Sequence, residues 1–124
     1  MKDNIDKQII EKIYNYCIDA SDLVEEAGSY EVYESQKRYG YSIPFTLQQI
    51  GELVKYLSDG LIQSSNHIIP WKLVRDMRHM CAHKYDDMDP RKIWDSATDG
   101  IPILKNFCKT YLAEQNNSPT NNKE

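Results

Sequence analysis

Two arginines and two histidines stand close together in this chain, Arg75, Arg78, His79 and His83. A guanidinium is permanently charged and forked, which suits negative charge developing on phosphorus. An imidazole titrates near neutrality, so it can take a proton from one oxygen and give one to another. Together these groups suit proton transfer and charge stabilisation at a phosphate ester. Between Pro70 and Tyr85 the ionised residues are Lys72, Arg75, Asp76, Arg78 and Lys84, in a chain whose formal net charge is −4. An acidic body with one basic strip excludes a nucleic-acid coat protein and suits contact with phosphate at a single place.

The element that must position these groups is a helix predicted from Pro70 to about His83, with Pro70 at its N1 position. At about 100° per residue, Leu73, Met77, Met80 and Cys81 share a core face, while Arg75, Arg78, His79, Ala82 and His83 lie on the other side. Buried without partners, those charges would be costly, so the face meets water, another subunit or an anion. Arg78 and His83 are separated by roughly 140° around the axis and converge poorly within one chain. Two copies about a two-fold axis can set Arg78 of one against His83 of the other. Arg75, His79 and Lys84 are accessory candidates for positioning phosphate, and Glu52 is a candidate ion-pair partner for Arg78. No metal is expected: Cys81 projects away from His83, and no Cys-x2-Cys spacing exists.

Helical periodicity dominates the rest. Ile10, Ile13, Cys17, Ala20 and Val24 define a first helix from about Asp3 to Ala27, stopped by Gly28. Ser29 to Gln36 fits a short helix of its own. Leu47, Ile50, Val54, Leu57 and Leu61 define a second long helix, with Pro44 either in its first turn or kinking it. Asp89-Pro90 is an N-cap and N1 signature for a last helix through Ile93, Trp94, Ala97, Ile101, Leu104, Phe107 and Tyr111, bent at Pro102. Trp71 and Trp94 read as core or dimer-contact aromatics. The expectation is an all-α, antiparallel four- to five-helix bundle over residues 1–115, followed by a disordered polar tail over residues 116–124.

At 124 residues, 40% hydrophobic and 27% charged, the chain has the composition of a single soluble domain. No apolar run is long enough to span a membrane, and the charged N-terminus does not read as an export signal. Cys17, Cys81 and Cys108 read as buried thiols in a reducing cytoplasm.

The run Arg78-His79-Met80-Cys81-Ala82-His83-Lys84-Tyr85 resembles the Arg-x4-His-x-Tyr motif of HepT-like proteins, a branch of the HEPN superfamily. Ile50-Gly51-Glu52 resembles that family's segment on its long helix, and Ile69-Pro70-Trp71 the segment before its motif helix. Asp86 to Asp89 followed by Ile93-Trp94, and Ile101-Pro102-Ile103-Leu104, resemble its continuation, so the likeness is ordered from Leu47 to Leu104. One position departs: the residue after the arginine is usually Asn or another small polar residue, and here it is His79. The resemblance implies a HEPN-like fold dimerising through the motif helix. It also implies the toxin of a type VII-like toxin–antitoxin system, an endoribonuclease without a cofactor, with Arg78 and His83 catalytic. A nucleotidyltransferase antitoxin would silence it by transferring AMP to Tyr85. The competing expectation is a non-catalytic helical subunit that presents a nucleotide or protein to such a transferase, with Tyr85 only a target.

Overall fold

The computed structural model describes residues 2–79 and 89–117, and among these every regular element is helical. In order they are α1 (Lys2–Ala27), α2 (Tyr30–Ser35), α3 (Lys37–Val54), α4 (Asp59–Ser65) and α5 (Trp71–Asp76), which tightens into a 3₁₀ turn (Met77–His79). After the undescribed stretch come α6 (Pro90–Asp95), a π-helical segment (Ser96–Gly100) and α7 (Ile101–Asn117). The expected all-α class is the observed one. The expected helix count rises because two of the long runs are broken. No helix among the described residues is long and apolar enough to cross a membrane.

The core forms where α3 and α7 pack on α1. From α1 it takes Ile10, Ile13, Cys17 and Ala20, all fully buried and spaced three and four apart. Gly28 ends that helix in the left-handed conformation, φ +81°, and its amide closes on the Val24 carbonyl at 2.9 Å. The short helix expected after it is present. The Ser29 hydroxyl caps it by accepting from the Val32 amide at 3.2 Å, and its Tyr33 ring stacks on Trp94 with centroids 5.3 Å apart.

Pro44 lies inside α3, fully buried, and not in a first turn. The long helix predicted through Leu61 stops at Val54, which corrects the periodicity reading. Leu57 is still buried, yet it lies in a turn, and Leu61 belongs to α4. A stronger local signal ends the helix there. The Ser58 hydroxyl accepts from the Leu61 amide and caps α4, while Asp6 of α1 grips the cap itself. The Asp6 carboxylate, only 4% exposed, accepts from the Ser58 amide at 2.9 Å and from the Ser58 hydroxyl at 2.6 Å.

The motif helix also departs from its expected shape. Pro70 occupies the N-cap position, so α5 begins at Trp71. Trp71 is buried, and its indole N–H donates to the Ser65 hydroxyl at 2.8 Å. With Trp71 and Met77 anchoring the inner face, Leu73 turns outward and is 66% exposed, not the core residue its spacing suggested. Met80 and Cys81 of the expected core face lie outside the described residues, as does the continuation of this helix to His83.

Asp89 caps α6 as expected, accepting from the Arg91 and Lys92 amides at 3.1 and 3.4 Å, with Pro90 at N1. Upstream of Pro102 the last run loosens into the π segment, where the Ile101 amide reaches the Ser96 carbonyl five residues back. Proline cannot complete the α-helical ladder, and a wide turn is one way for a chain to accommodate it. α7 continues to Asn117, past the boundary expected at residue 115, and residues 118–124 lie outside the described set. Cys17 and Cys108 are both buried between α1 and α7. A hydrogen bond with Cys17 and burial push the Cys108 thiol above its ordinary value, as befits a buried core group.

The Asp6 grip is the longest-range polar tie among the described hydrogen bonds, and its loss would leave the Ser58 amide without its partner. Asp6→Ala should therefore lower the free energy of unfolding by about 2 kcal/mol in a urea titration. An unchanged midpoint would mean that water replaces the carboxylate at no cost.

Candidate active site

The arginine turn is held from behind by α3. At Gly51 the two backbones meet so closely that a Cβ there would stand 3.0 Å from both the Arg75 carbonyl oxygen and the Arg78 Cα, and closer still to the Arg78 amide. No larger residue fits without moving the turn. Ile50, beside it, is fully buried and roots α3 in the core; Met77 does the same for the turn. These two anchors and the bare glycine fix the height at which Arg78 leaves the body of the protein.

On this support Arg75 and His79 are exposed and Arg78 is half-buried. Among the described residues no ion pair engages Arg78. The expected partner, Glu52, instead pairs with Lys55 at 3.2 Å, one turn along its own helix, and holds the Lys55 ammonium above the usual lysine range through that hydrogen bond. The i,i+3 neighbour on the same helix takes the carboxylate, which corrects the expectation that it would hold Arg78. A half-buried arginine that no ion pair engages among the described residues is suited to an incoming anion.

The structure thus brings Arg75, Arg78 and His79 together within about one turn of chain. His83, Lys84 and Tyr85 lie outside the described residues, so their spacing from Arg78 is not part of this geometry. The 3₁₀ conformation of Met77–His79 also means that the 100° step used for the motif helix gives way to about 120° there. Among the described residues no group of three His, Cys, Asp or Glu side chains is placed to hold a metal ion.

Beside the turn lies a groove of about 690 Å³ between α5 and the start of α7, which the sequence reading did not anticipate. Leu73, Met77, Ile101 and Leu104 make its apolar wall, and Asp76, His79, Asp89 and Lys92 its polar rim. Its existence follows from Leu73 facing outward, which the apolar spacing concealed. The one legible hint was Lys92, three residues past the Asp89-Pro90 cap and hence on the first turn of α6.

Comparison with known proteins adds to this geometry. The model of the HepT-like family, described as Ribonuclease HepT-like, matches residues 5–111. Three proteins of Methanocaldococcus jannaschii, each given a provisional RNase name, are similar to the chain. One is 28% identical over 99 residues, covering 80% of this chain and 84% of its own length. Another is 32% identical over 76 residues, covering 61% and 62%. A third is 24% identical over 95 residues, covering 75% and 86%. No solved structure gives a significant match.

The glycine contact makes its own prediction. Gly51→Ala places a methyl against backbone that has no flexible end to yield, and should cost about 2 kcal/mol of stability while displacing the Arg78 turn. The control is Gly40→Ala, where an added Cβ meets nothing within 4 Å. Equal urea midpoints for the two variants would show that the turn gives way freely.

Proposed function

This chain belongs to the HepT-like ribonuclease family, and from that premise we propose that it is a toxin that cuts RNA without a metal, at a site built on Arg78 and His83. The observation that carries the reading is the Arg78 turn: a half-buried guanidinium, seated on Gly51 and engaged by no ion pair among the described residues. Arg75, His79 and Lys84 are its accessory cations.

In the proposed reaction His83 takes the proton from a ribose 2′-OH as the 2′-oxygen attacks the adjacent phosphorus. The P–O5′ bond breaks, the 5′-oxygen leaves with a proton supplied by a second imidazole or by water, and a 2′,3′-cyclic phosphate remains. Arg78 carries the charge that builds on the non-bridging oxygens. Arg78 and His83 lie five residues apart, a spacing that favours a site shared by two chains, each giving one of the pair, so the working unit is a homodimer.

Regulation follows the same chemistry. A nucleotidyltransferase antitoxin in the same cytoplasm would transfer AMP from ATP to the Tyr85 phenol, with pyrophosphate leaving. The attached phosphate and base would then occupy the place of RNA beside the basic turn. This assignment is supported by Tyr85 standing two residues beyond His83 in the family's motif.

Expression in a heterologous bacterium tests both parts. The wild type should arrest growth and degrade RNA, and Arg78→Ala and His83→Ala should each lower cleavage by about a hundredfold or more with helical content intact. Toxicity that survives both substitutions overturns the site. No arrest by soluble wild type points to the alternative, a non-catalytic subunit of a transferase complex. Tyr85→Phe should stay toxic when the antitoxin is co-expressed; rescue of that variant by the antitoxin would remove the tyrosine from its regulation.

A further inference from the structure

Five side chains share the outward face of α3. At about 100° per residue, Lys37, Gln48, Tyr41, Glu52 and Phe45 fall within an arc of roughly 80°. The opposite side of the helix carries the buried Ile43, Leu47, Ile50 and Val54. Two of the five are large aromatics four residues apart, Tyr41 at 49% exposure and Phe45 at 54%. A protein that stays monomeric seldom aligns two such rings on one solvated helix face.

We propose that this face is where two copies of the chain meet, with their α3 helices crossing antiparallel about a two-fold axis beside Phe45. The proposal rests on the two-chain reading of the site given above and names the surface that brings the chains together.

The order of the side chains carries it. An antiparallel two-fold places a residue before the axis opposite one an equal distance after it. Lys37 lies eight residues before Phe45 and Glu52 seven after; Tyr41 lies four before and Gln48 three after. With the axis half a residue before Phe45, each ammonium faces a carboxylate, Tyr41 and Gln48 stand at the same level, and Phe45 meets its own copy. Symmetry makes every pair twice. A parallel pairing would set Lys37 on Lys37 and Glu52 on Glu52, so the charge order selects the antiparallel one. The existing Glu52–Lys55 contact is an exposed pair of the kind that contributes little, and does not compete strongly. Arg38, at the edge of the same face, is turned toward α1 by its 2.9 Å bond to Glu26.

The 18 residues of α3 span about 27 Å, so this face alone falls short of the roughly 800 Å² per partner of a standard interface. Gly51 lies just past the edge of the arc, and the arginine turn it seats is the next surface beside it. Extending the contact that way draws the basic turns of both chains into one assembly.

Sedimentation velocity on the full chain, with RNA binding measured alongside, tests the surface. The wild type should be a dimer at micromolar concentration. Phe45→Glu should weaken dimerisation on the order of a hundredfold. Lys37→Glu and Glu52→Lys should each weaken it about tenfold, and the double reversal should restore it, because the two charges are merely exchanged. All these positions are at least partly exposed; should Phe45→Glu lose helical content, the charge reversals decide. A monomeric wild type overturns both this proposal and the two-chain site. A wild-type dimer untouched by any of the variants overturns the surface and leaves the two-chain site standing. Variants that remain dimeric but lose RNA binding would give this face to nucleic acid, and overturn the proposal as well.

Discussion

Where α3 passes the arginine turn, the two backbones approach more closely than any side chain would permit, because residue 51 carries none. The contact joins a well-rooted part of the fold to the half-buried Arg78. Ile50 on one side and Met77 on the other are buried, so the approach has little freedom to slide or tilt. A guanidinium on a long, flexible stem is useful only if its base is fixed, and here the base is fixed by backbone against backbone. The tightening of α5 into a 3₁₀ turn occurs at this same place, so the local geometry that presents Arg78 and the packing that holds it cannot be separated.

The remainder of the bundle can be understood as support for that contact. Asp6 holds the cap of α4, the far end of α4 offers the Ser65 hydroxyl, and that hydroxyl holds the Trp71 indole at the start of α5. Each link satisfies a buried polar group, which makes it costly to break. Behind them the apolar core of α1, α3 and α7 supplies the general stability. A helical body of this kind leaves its outer faces free to differ. One becomes the groove beside His79, another the aromatic face of α3.

Much of this was legible from residues alone. Gly28, Ser29 and the Asp89-Pro90 pair announce helix ends through their own chemistry, and each acts where it stands. The face of α1 followed from spacing because the helix is long and one side of it is fully buried. Periodicity misled at Leu57, which stays apolar and buried across a break made by Ser58, and Asp6 could not be connected to that break from a distance of 52 residues. It misled again at Leu73, where Trp71 had already taken the core. The motif residues themselves were recognisable by type and order. Their support was only partly so, since nothing in a glycine's neighbours states which backbone will rest against it.

The links that seat the arginine turn share a further property, their order along the chain. Asp6, Ser58, Ser65 and Gly51 all precede Arg78. During synthesis a chain emerges from its N-terminus and local helical units form as they are released. The polar scaffold for the turn is therefore complete in the nascent chain before the turn is made, whereas α7, which closes the apolar core against α1, arrives later. A ribosome paused between the two would hold a chain whose basic turn has its supports while its core is still open, and termination there would release a fragment with Arg78 but without the helix that closes the core. The fold thus ties the persistence of this turn to the synthesis of α7.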